Sequence, residues 1–350
     1  MSAQSFPIPA EVDMFLHEGL VSRPSIELEL KLGMLIDKTS FGKVDYKQMG
    51  IQEGKNKFIP REKYPTNSRF ASEVSANQYG KINQSLNKWF QEHKYFGKGR
   101  YVRTLDFDVI YKDEKGTQVR VTYDASGKEP PYAITKEPIA PLTLVFGRQD
   151  SLDIRISASH ENATDMPEDI SAWILNSART KSRISYIYEF FRIDITQVYG
   201  YSELEPEDGK ELIEHAADRK DWSAGSEVHV FSSSLQKWVP GTVEKVEQEK
   251  YLYIKRNDND KSKRYSRLAV DLAHKGHTSD PEISYEVEVE LLQGVLKNKE
   301  TRKRVIHKWM QCIHLLKTAA EYNHSRPHGD KRRHPGGSGS SGHGASKRHK

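Results

Sequence analysis

The chain has 350 residues, one cysteine (Cys312) and a formal net charge of +5. A single cysteine excludes an internal disulfide and favours a reducing compartment, and no apolar run approaches the roughly 20 residues that span a bilayer. Residues 324–350 contain seven Lys and Arg against one Asp, so residues 1–323 have a net charge of about −1. The body is therefore not a general basic surface for nucleic acid, and we expect a soluble intracellular protein that binds any polyanion at a local site.

The first predicted element is a strand over residues 26–32, which Gly33 ends. Side chains alternate faces along a strand, so Glu27, Glu29 and Lys31 share one face. Residues 41–72 are polar and contain Gly, Pro and Lys, which predicts an irregular excursion. The next element is a helix over residues 76–96, whose apolar stripe is Ile82, Leu86, Trp89 and Phe90.

Short alternating segments then follow, in the rhythm of an antiparallel barrel. They lie around residues 101–111, 117–124, 131–136, 151–159, 179–189 and 190–198. The fifth segment places Arg179, Lys181 and Arg183 on one face. The sixth places Arg192, Asp194 and Thr196 on one face with the same period.

A last strand, Tyr285–Glu290, gathers Glu286, Glu288 and Glu290 on one face. Taken alone, each acidic strand is also typical of a sheet with one solvated face. Crowded carboxylates repel unless a cation compensates them, and the basic strands between the acidic ones supply cations. The pattern favours a polar interior and a divalent metal ion. We therefore predict an α+β fold, a closed antiparallel β-barrel with packed helices. Residues 291–322 are predicted to form a helix that docks on the barrel through Val305, Trp309, Ile313 and Leu316.

Between these halves, residues 222–275 contain short strands and turns that suit a small SH3-like or Tudor-like inserted barrel. Phe231, Trp238, Tyr251 and Tyr253 could form an aromatic cage for a methylated cation, although such rings more often form a core. The predicted domains are thus residues 1–200 with 281–323, the insert, and a disordered basic tail over 324–350. The tail could serve nuclear import, weak RNA contact or solubility.

The charged strands resemble the fungal- and protozoal-type RNA 5′-triphosphatases of mRNA capping, within the triphosphate tunnel metalloenzymes. The resemblance covers roughly residues 21–200 and 281–322. Its four motifs, in order, are Glu27/Glu29/Lys31, Arg179/Lys181/Arg183, Arg192/Asp194/Thr196 and Glu286/Glu288/Glu290. Further members of the tunnel wall would be Arg120, Lys136 and Arg155, with Glu161 and either Asp106 or Asp108 as auxiliary acids.

The resemblance implies a metal-dependent hydrolase that releases the γ-phosphate of RNA. Glu27, Glu29 and Glu290 would bind Mg²⁺ or Mn²⁺ directly, since glutamate oxygens are hard ligands. Arg120, Lys181 and Arg183 would grip the γ-phosphate. Glu286 and Glu288 would orient wall cations or waters, and Glu161 or Asp194 would align the attacking water.

The same resemblance implies 5′-triphosphate RNA as substrate, an mRNA guanylyltransferase partner, a nuclear location and a possible homodimer. A tryptophan-rich segment for docking the guanylyltransferase is not evident in the sequence. Two other functions stay open. A tunnel enzyme could hydrolyse inorganic tripolyphosphate or nucleoside triphosphates, and the protein could be a methyl-ligand reader whose barrel is an inert scaffold.

Overall fold

The computed structural model describes residues 10–23, 25–124, 130–165, 174–201, 221–232, 237–248, 251–266, 272–274 and 282–322. The strands are β1 (Ile26–Asp37), β2 (Asn56–Pro60), β3 (Ser68–Ala71), β4 (Arg100–Lys112), β5 (Gln118–Asp124), β6 (Tyr132–Phe146), β7 (Asp153–Thr164), β8 (Ile174–Ile187), β9 (Phe191–Tyr201), β10 (Glu227–Ser232), β11 (Lys237–Glu247), β12 (Tyr251–Arg256), β13 (Ser262–Ser266), β14 (Leu272–His274) and β15 (Glu282–Leu291). The helices are α1 (Ala10–Phe15), α2 (Glu18–Val21), α3 (Ala76–Gln91) and α4 (Lys299–Glu321), and short 3₁₀ turns lie at Tyr46–Met49 and Arg61–Lys63.

Eight strands form a closed antiparallel ring. Its order is β1-β7-β6-β5-β4-β8-β9-β15, and β15 pairs back onto β1. Closure leaves no free edge within the ring, which is how a barrel removes unpaired backbone groups. The predicted closed antiparallel barrel with packed helices is confirmed.

The outer face of the barrel is apolar and is covered by helices. Along α4 the predicted stripe of Val305, Trp309, Ile313 and Leu316 is fully buried. The Trp309 indole Nε1 donates a hydrogen bond of 2.8 Å to the carbonyl oxygen of Val289 in β15, so the helix is fixed to a barrel strand. Ile82 and Leu86 of α3 are buried in the same core. Apolar residues of β1 and β15 thus pack outwards while their glutamates point inwards.

Both helices are shorter than predicted. Asn298 caps α4 by accepting hydrogen bonds from the backbone of the first turn, and residues 292–297 form a turn after β15. The first eight residues of the predicted helix are therefore not helical. Helix α3 ends at Gln91 because the chain then turns, with His93 and Tyr95 at positive φ.

The segment predicted as an irregular excursion contains two short strands that lie outside the ring. Strand β2 pairs with β6, and β3 pairs with the distal half of β1. Gly33 permits this second pairing, because a Cβ atom at that position would lie 2.1 Å from the carbonyl oxygen of Ala71. These additions brace one side of the barrel.

The inserted segment forms a separate five-stranded antiparallel sheet of order β13-β12-β11-β10-β14. Its core contains Trp222, Val228, Val230, Val243, Leu252, Ile254 and Tyr265. Leu105 of the barrel packs against this core. The likeness to a Tudor domain stays a prediction. Of the four proposed cage residues only Tyr253 has a described side chain, and its hydroxyl donates to Glu247 while Lys245 lies 5.5 Å from the ring centre.

Phe231, Trp238 and Tyr251 have side chains outside the described part of the chain, as does the whole predicted tail over 324–350. None of the helices in the described ranges has the length and the apolar composition that a membrane span requires.

Candidate active site

The interior of the barrel holds a cavity of about 530 Å³ with a charged wall. Alternation along each strand sends one set of side chains into this cavity and the other into the surrounding core. The charged residues that line it are Glu27, Glu29, Lys31, Arg61, Arg120, Lys136, Arg155, Glu161, Arg179, Lys181, Arg183, Arg192, Glu286, Glu288 and Glu290. The polar interior predicted from the strand patterns is therefore present.

Three carboxylates lie on the inner face of the barrel where β1 pairs with β15. Glu29 lies directly opposite Glu290 in the strand register, and Glu27 is two residues away on the same face of β1. Each of them is bound by a cation of the wall. Lys136 is in contact with Glu27, Lys31 Nζ lies 3.2 Å from Glu29, and Arg192 donates to Glu290 at 2.6 Å.

Burial and like charge disfavour the ionised form at this cluster. Burial raises the pKa of Glu29, with Lys31 opposing the shift. Burial raises the pKa of Glu290 to about 7 in spite of Arg192, and Glu27 and Glu29 add to the shift. A divalent cation would relieve this repulsion, because it favours the charged form of every carboxylate around it.

The donor set fits a hard divalent metal ion. All three groups are carboxylates, and Ser159 on the neighbouring strand donates to Glu27 at 3.0 Å. Among the described residues, no three His, Cys, Asp or Glu side chains already converge in metal-binding geometry. A bound metal ion would therefore replace Lys136 and Arg192 as the partner of the carboxylates. Both cations would then be free to bind phosphate.

Glu288 contacts a cation of the wall, while the role of Glu286 and Glu288 in orienting cations or waters stays a prediction. Lys31 donates to Glu288 at 2.5 Å. Burial opposes ionisation of Glu288, but Lys31 and then Arg183 outweigh it and hold the pKa of this carboxyl well below its usual range. Burial raises the pKa of Glu286, and the neighbouring Glu288 adds to the shift. Glu288 is thus the anion that fixes Lys31.

A basic cluster forms the opposite wall. Asp108, which is 2 % exposed, accepts from Arg179 Nε at 3.1 Å and lies 2.8 Å from Lys181 Nζ. Thr122 donates to its other oxygen at 2.8 Å. Burial and the positive charge of Arg179 lower the pKa of Lys181 to about 8, although Asp108 opposes the shift. Asp108 therefore positions two cations that line the cavity, from a buried position beneath them.

Three guanidinium groups of the wall present unsatisfied donors. The Nε atoms of Arg120, Arg155 and Arg183 are buried and have no hydrogen-bond partner among the residues that the structure describes. Unpaired buried donors are costly, so native sites that contain them await a ligand or water. Arg155 is held over the ring of Phe70 at 4.7 Å, which aims a cation without pairing it to an acid.

Asp194 does not line the cavity. It is 2 % exposed, and its oxygens accept from Ser185 at 2.6 Å and from Arg192 at 2.8 Å. The expectation that it aligns the attacking water stays a prediction, and its contacts make it a positioning residue for Arg192. Asp106 and Asp108 are also absent from the cavity wall, whereas Glu161 lines it, 3.4 Å from both Arg120 and Lys136.

Arg61 and Tyr132 line the cavity but have no place in the four motifs. Residue 61 belongs to the segment predicted as an irregular excursion, and its 3₁₀ turn follows β2 onto the barrel. Tyr132 is the first residue of β6, where its period-two relation to Lys136 could have placed it on the inner face.

A closed eight-stranded antiparallel barrel with acids and bases facing inwards is the architecture of the triphosphate tunnel proteins. Within that class, the chain belongs to the family of the mRNA capping enzyme beta chain, whose model matches residues 12–221. Members of this family are metal-dependent. The matched residues contain the first three of the four charged motifs and end before the last strand.

Two relatives are fungal proteins called mRNA-capping enzyme subunit beta. The one from Schizosaccharomyces pombe is 29% identical over 192 residues, which is 53% of this chain and 60% of the relative. The one from Yarrowia lipolytica is 37% identical over 124 residues, which is 34% of this chain and 31% of the relative. The chain therefore matches less than two thirds of the length of these relatives.

Among solved structures, the Pct1 RNA triphosphatase of S. pombe superimposes with a TM-score of 0.55 at 20% identity, covering 89% of this chain and 94% of Pct1. A second structure of Pct1, in complex with the Spt5 CTD, gives a TM-score of 0.57 at 19% identity. At this identity the likeness establishes the fold.

Proposed function

We propose that this protein is a metal-dependent polynucleotide 5′-triphosphatase, which hydrolyses the γ-phosphate of 5′-triphosphate RNA in the first step of mRNA capping. The observation that supports it best is that the buried guanidinium Nε atoms of Arg120, Arg155 and Arg183 have no hydrogen-bond partner among the described residues, in a cavity that also holds a carboxylate cluster. Guanidinium forks match phosphate oxygens, and the carboxylates match a divalent ion that phosphate would share.

In this proposal the cationic wall binds the triphosphate end. Arg120, Lys181 and Arg183 contact the γ-phosphate, while Asp108 keeps Lys181 oriented and ionised. Phosphoryl transfer needs positioning and charge stabilisation more than covalent chemistry from the protein. These fixed cations take up the negative charge on the equatorial oxygens of the transferred group.

Glu27, Glu29 and Glu290 would hold Mg²⁺ or Mn²⁺, which supplies Lewis-acid stabilisation of the phosphate oxygens. Lys136, which contacts Glu27 here, would then be free to neutralise phosphate. Glu161 would accept a hydrogen bond from the water that approaches the γ-phosphorus in line. The products are diphosphate-ended RNA and inorganic phosphate.

The test is release of labelled γ-phosphate from triphosphate-ended RNA with Mg²⁺, with Mn²⁺ and with chelator, beside a Glu27→Ala/Glu29→Ala variant. We expect metal-dependent release that falls by about 10³-fold or more in the variant. Cleavage of tripolyphosphate or nucleoside triphosphate but not of RNA would keep the tunnel chemistry and reject the capping function. No turnover of any triphosphate would favour the reader alternative.

The proposal also covers the partner protein and the cellular location. A beta subunit implies an alpha subunit, so we propose an mRNA guanylyltransferase as the partner, and the nucleus as the location. Both follow from the family and from the basic clusters Lys331–Arg333 and Lys347–Arg348 of the C-terminal sequence. Co-purification of the tagged protein with a guanylyltransferase, and its nuclear fraction with and without residues 324–350, test the two points separately.

A further inference from the structure

Tyr132 is an exposed aromatic residue on the wall of a cavity that is otherwise charged. Its side chain is 53 % exposed, yet it lines the same cavity as the carboxylates and guanidiniums. The phenol has no hydrogen-bond, ionic or ring partner among the residues that the structure describes. Its neighbour on the outer face, Ala133, is buried in an apolar cluster with Val109 and Val121. The packing of the barrel therefore does not require the ring of Tyr132.

The position of Tyr132 links it to the phosphate-binding wall. It is the first residue of β6, at the rim of the barrel, and it lies directly opposite Thr122 of β5. Thr122 donates to Asp108, and Asp108 holds Arg179 and Lys181. Opposite residues of an antiparallel pair have Cβ atoms about 5 Å apart, so the ring stands next to the hydrogen-bond network that fixes these cations.

Among the described residues that line the cavity, Tyr132 is the aromatic side chain, and its ring face is free. Phe70 packs under Arg155, a residue of the wall. Its ring is 8 % exposed and is covered by that guanidinium at 4.7 Å. The hydroxyl of Tyr64 is bound to Thr143. A nucleobase that follows the triphosphate out of the cavity therefore finds one available stacking surface.

We propose that Tyr132 stacks on the first nucleobase of a nucleotide-ended triphosphate and so selects RNA over inorganic tripolyphosphate. This inference rests on the proposed function, because it names the residue that would recognise the leaving group of that reaction. Stacking tolerates any base, since every base presents a π-face, and it suits an enzyme that must accept different first nucleotides. The residue contributes to substrate binding and takes no part in proton or phosphoryl transfer.

The test compares wild type, Tyr132→Ala and Tyr132→Phe on two substrates: triphosphate-ended RNA and inorganic tripolyphosphate. We expect Tyr132→Ala to raise KM for RNA by roughly 5- to 100-fold, the range that loss of one base–aromatic stack gives. Its KM for tripolyphosphate should stay within about twofold of wild type, because that substrate has no base to stack. Tyr132→Phe keeps the ring and should retain the wild-type KM for RNA.

Phe41→Ala is a matched control, because Phe41 is a 70 % exposed ring outside the cavity. It should change neither KM. Equal losses on both substrates for Tyr132→Ala, or an unchanged KM for RNA, would overturn the inference. Either outcome can be measured only if the wild-type protein hydrolyses triphosphate-ended RNA. A wild type that fails on RNA and cleaves tripolyphosphate would instead reject the proposed function.

Discussion

Replacing Asp108 by asparagine removes the anion that fixes two central cations of the phosphate-binding wall. Asp108 lies 2.8 Å from Lys181 Nζ, in a position that is 2 % exposed. At this separation and an effective dielectric constant of about 20, their attraction is about 6 kcal/mol. Asparagine leaves Arg179 beside Lys181 without the carboxylate that contacts both of them. Even after the site rearranges, we expect loss of this attraction to destabilise the charged form of Lys181 by at least about 1.4 kcal/mol. The pKa of Lys181 then falls by one unit or more.

The pH dependence follows from the sign of this shift. Lys181 is a cation below its pKa of about 8 and loses its charge as the pH rises through that value. The value of kcat/KM, which reports the free enzyme, should therefore fall above about pH 8 in the wild type. In Asp108→Asn the same fall should begin at least about one pH unit lower.

The assay is kcat/KM for triphosphate-ended RNA across the neutral and alkaline range, with folding checked at each pH by circular dichroism. Lys181→Arg is the control, because arginine does not titrate in this range and the fall near pH 8 should disappear, whatever activity remains. An alkaline limb of Asp108→Asn that coincides with the wild-type limb would refute the reasoning. So would a limb that persists in Lys181→Arg.

Three further substitutions test the packing around the cavity. Trp309→Ala should cost about 3–5 kcal/mol in urea unfolding, since the indole is fully buried, and a loss below about 1 kcal/mol would contradict the docking of α4. Phe70→Leu removes the ring under Arg155 and should raise KM for RNA a few-fold in protein that is still folded, whereas an unchanged KM would contradict this support. Gly33→Ala places a Cβ atom 2.1 Å from the oxygen of Ala71, so the melting temperature should fall by several degrees. A melting temperature equal to that of the wild type would contradict the close pairing of β1 and β3.

The inner face of the barrel was predictable because strands repeat every two residues. Glu27, Glu29 and Lys31 share a face whatever they pair with, and the same holds for the basic strand. The pairing register was not predictable from the sequence. That Glu29 faces Glu290 depends on contacts between segments about 260 residues apart, which no local pattern specifies.

Strand β6 shows why element boundaries were harder to predict. The sequence indicated a strand over 131–136, whereas β6 extends to Phe146 through Pro138 and Pro141. Proline argues against a strand because it cannot donate to the ladder, and here the register shifts between Pro138 and Ala140 to accommodate it. Strands β2 and β3 were missed for a related reason, since short polar strands outside the ring leave almost no periodic signal.

The site residues were predicted by residue type, and the structure adds the burial and the contacts of each acid. Asp194 and Glu161 are equivalent as acids in a sequence, and only the structure places the first behind Arg192 and the second at the cavity. Tyr132 was missed because an aromatic residue at the start of a strand is most simply explained as packing. Its exposure and its position on the charged wall are properties of the folded barrel.

The most direct measurement follows a β-labelled and a γ-labelled 5′-triphosphate RNA through the reaction with Mg²⁺ or Mn²⁺. The account predicts that the γ-label appears as inorganic phosphate while the β-label stays on the RNA. It also predicts that Arg183→Ala slows release by about 10²-fold or more, because this guanidinium stabilises charge on the transferred group. Release of the β-label as pyrophosphate or phosphate, or full activity of Arg183→Ala, would contradict it.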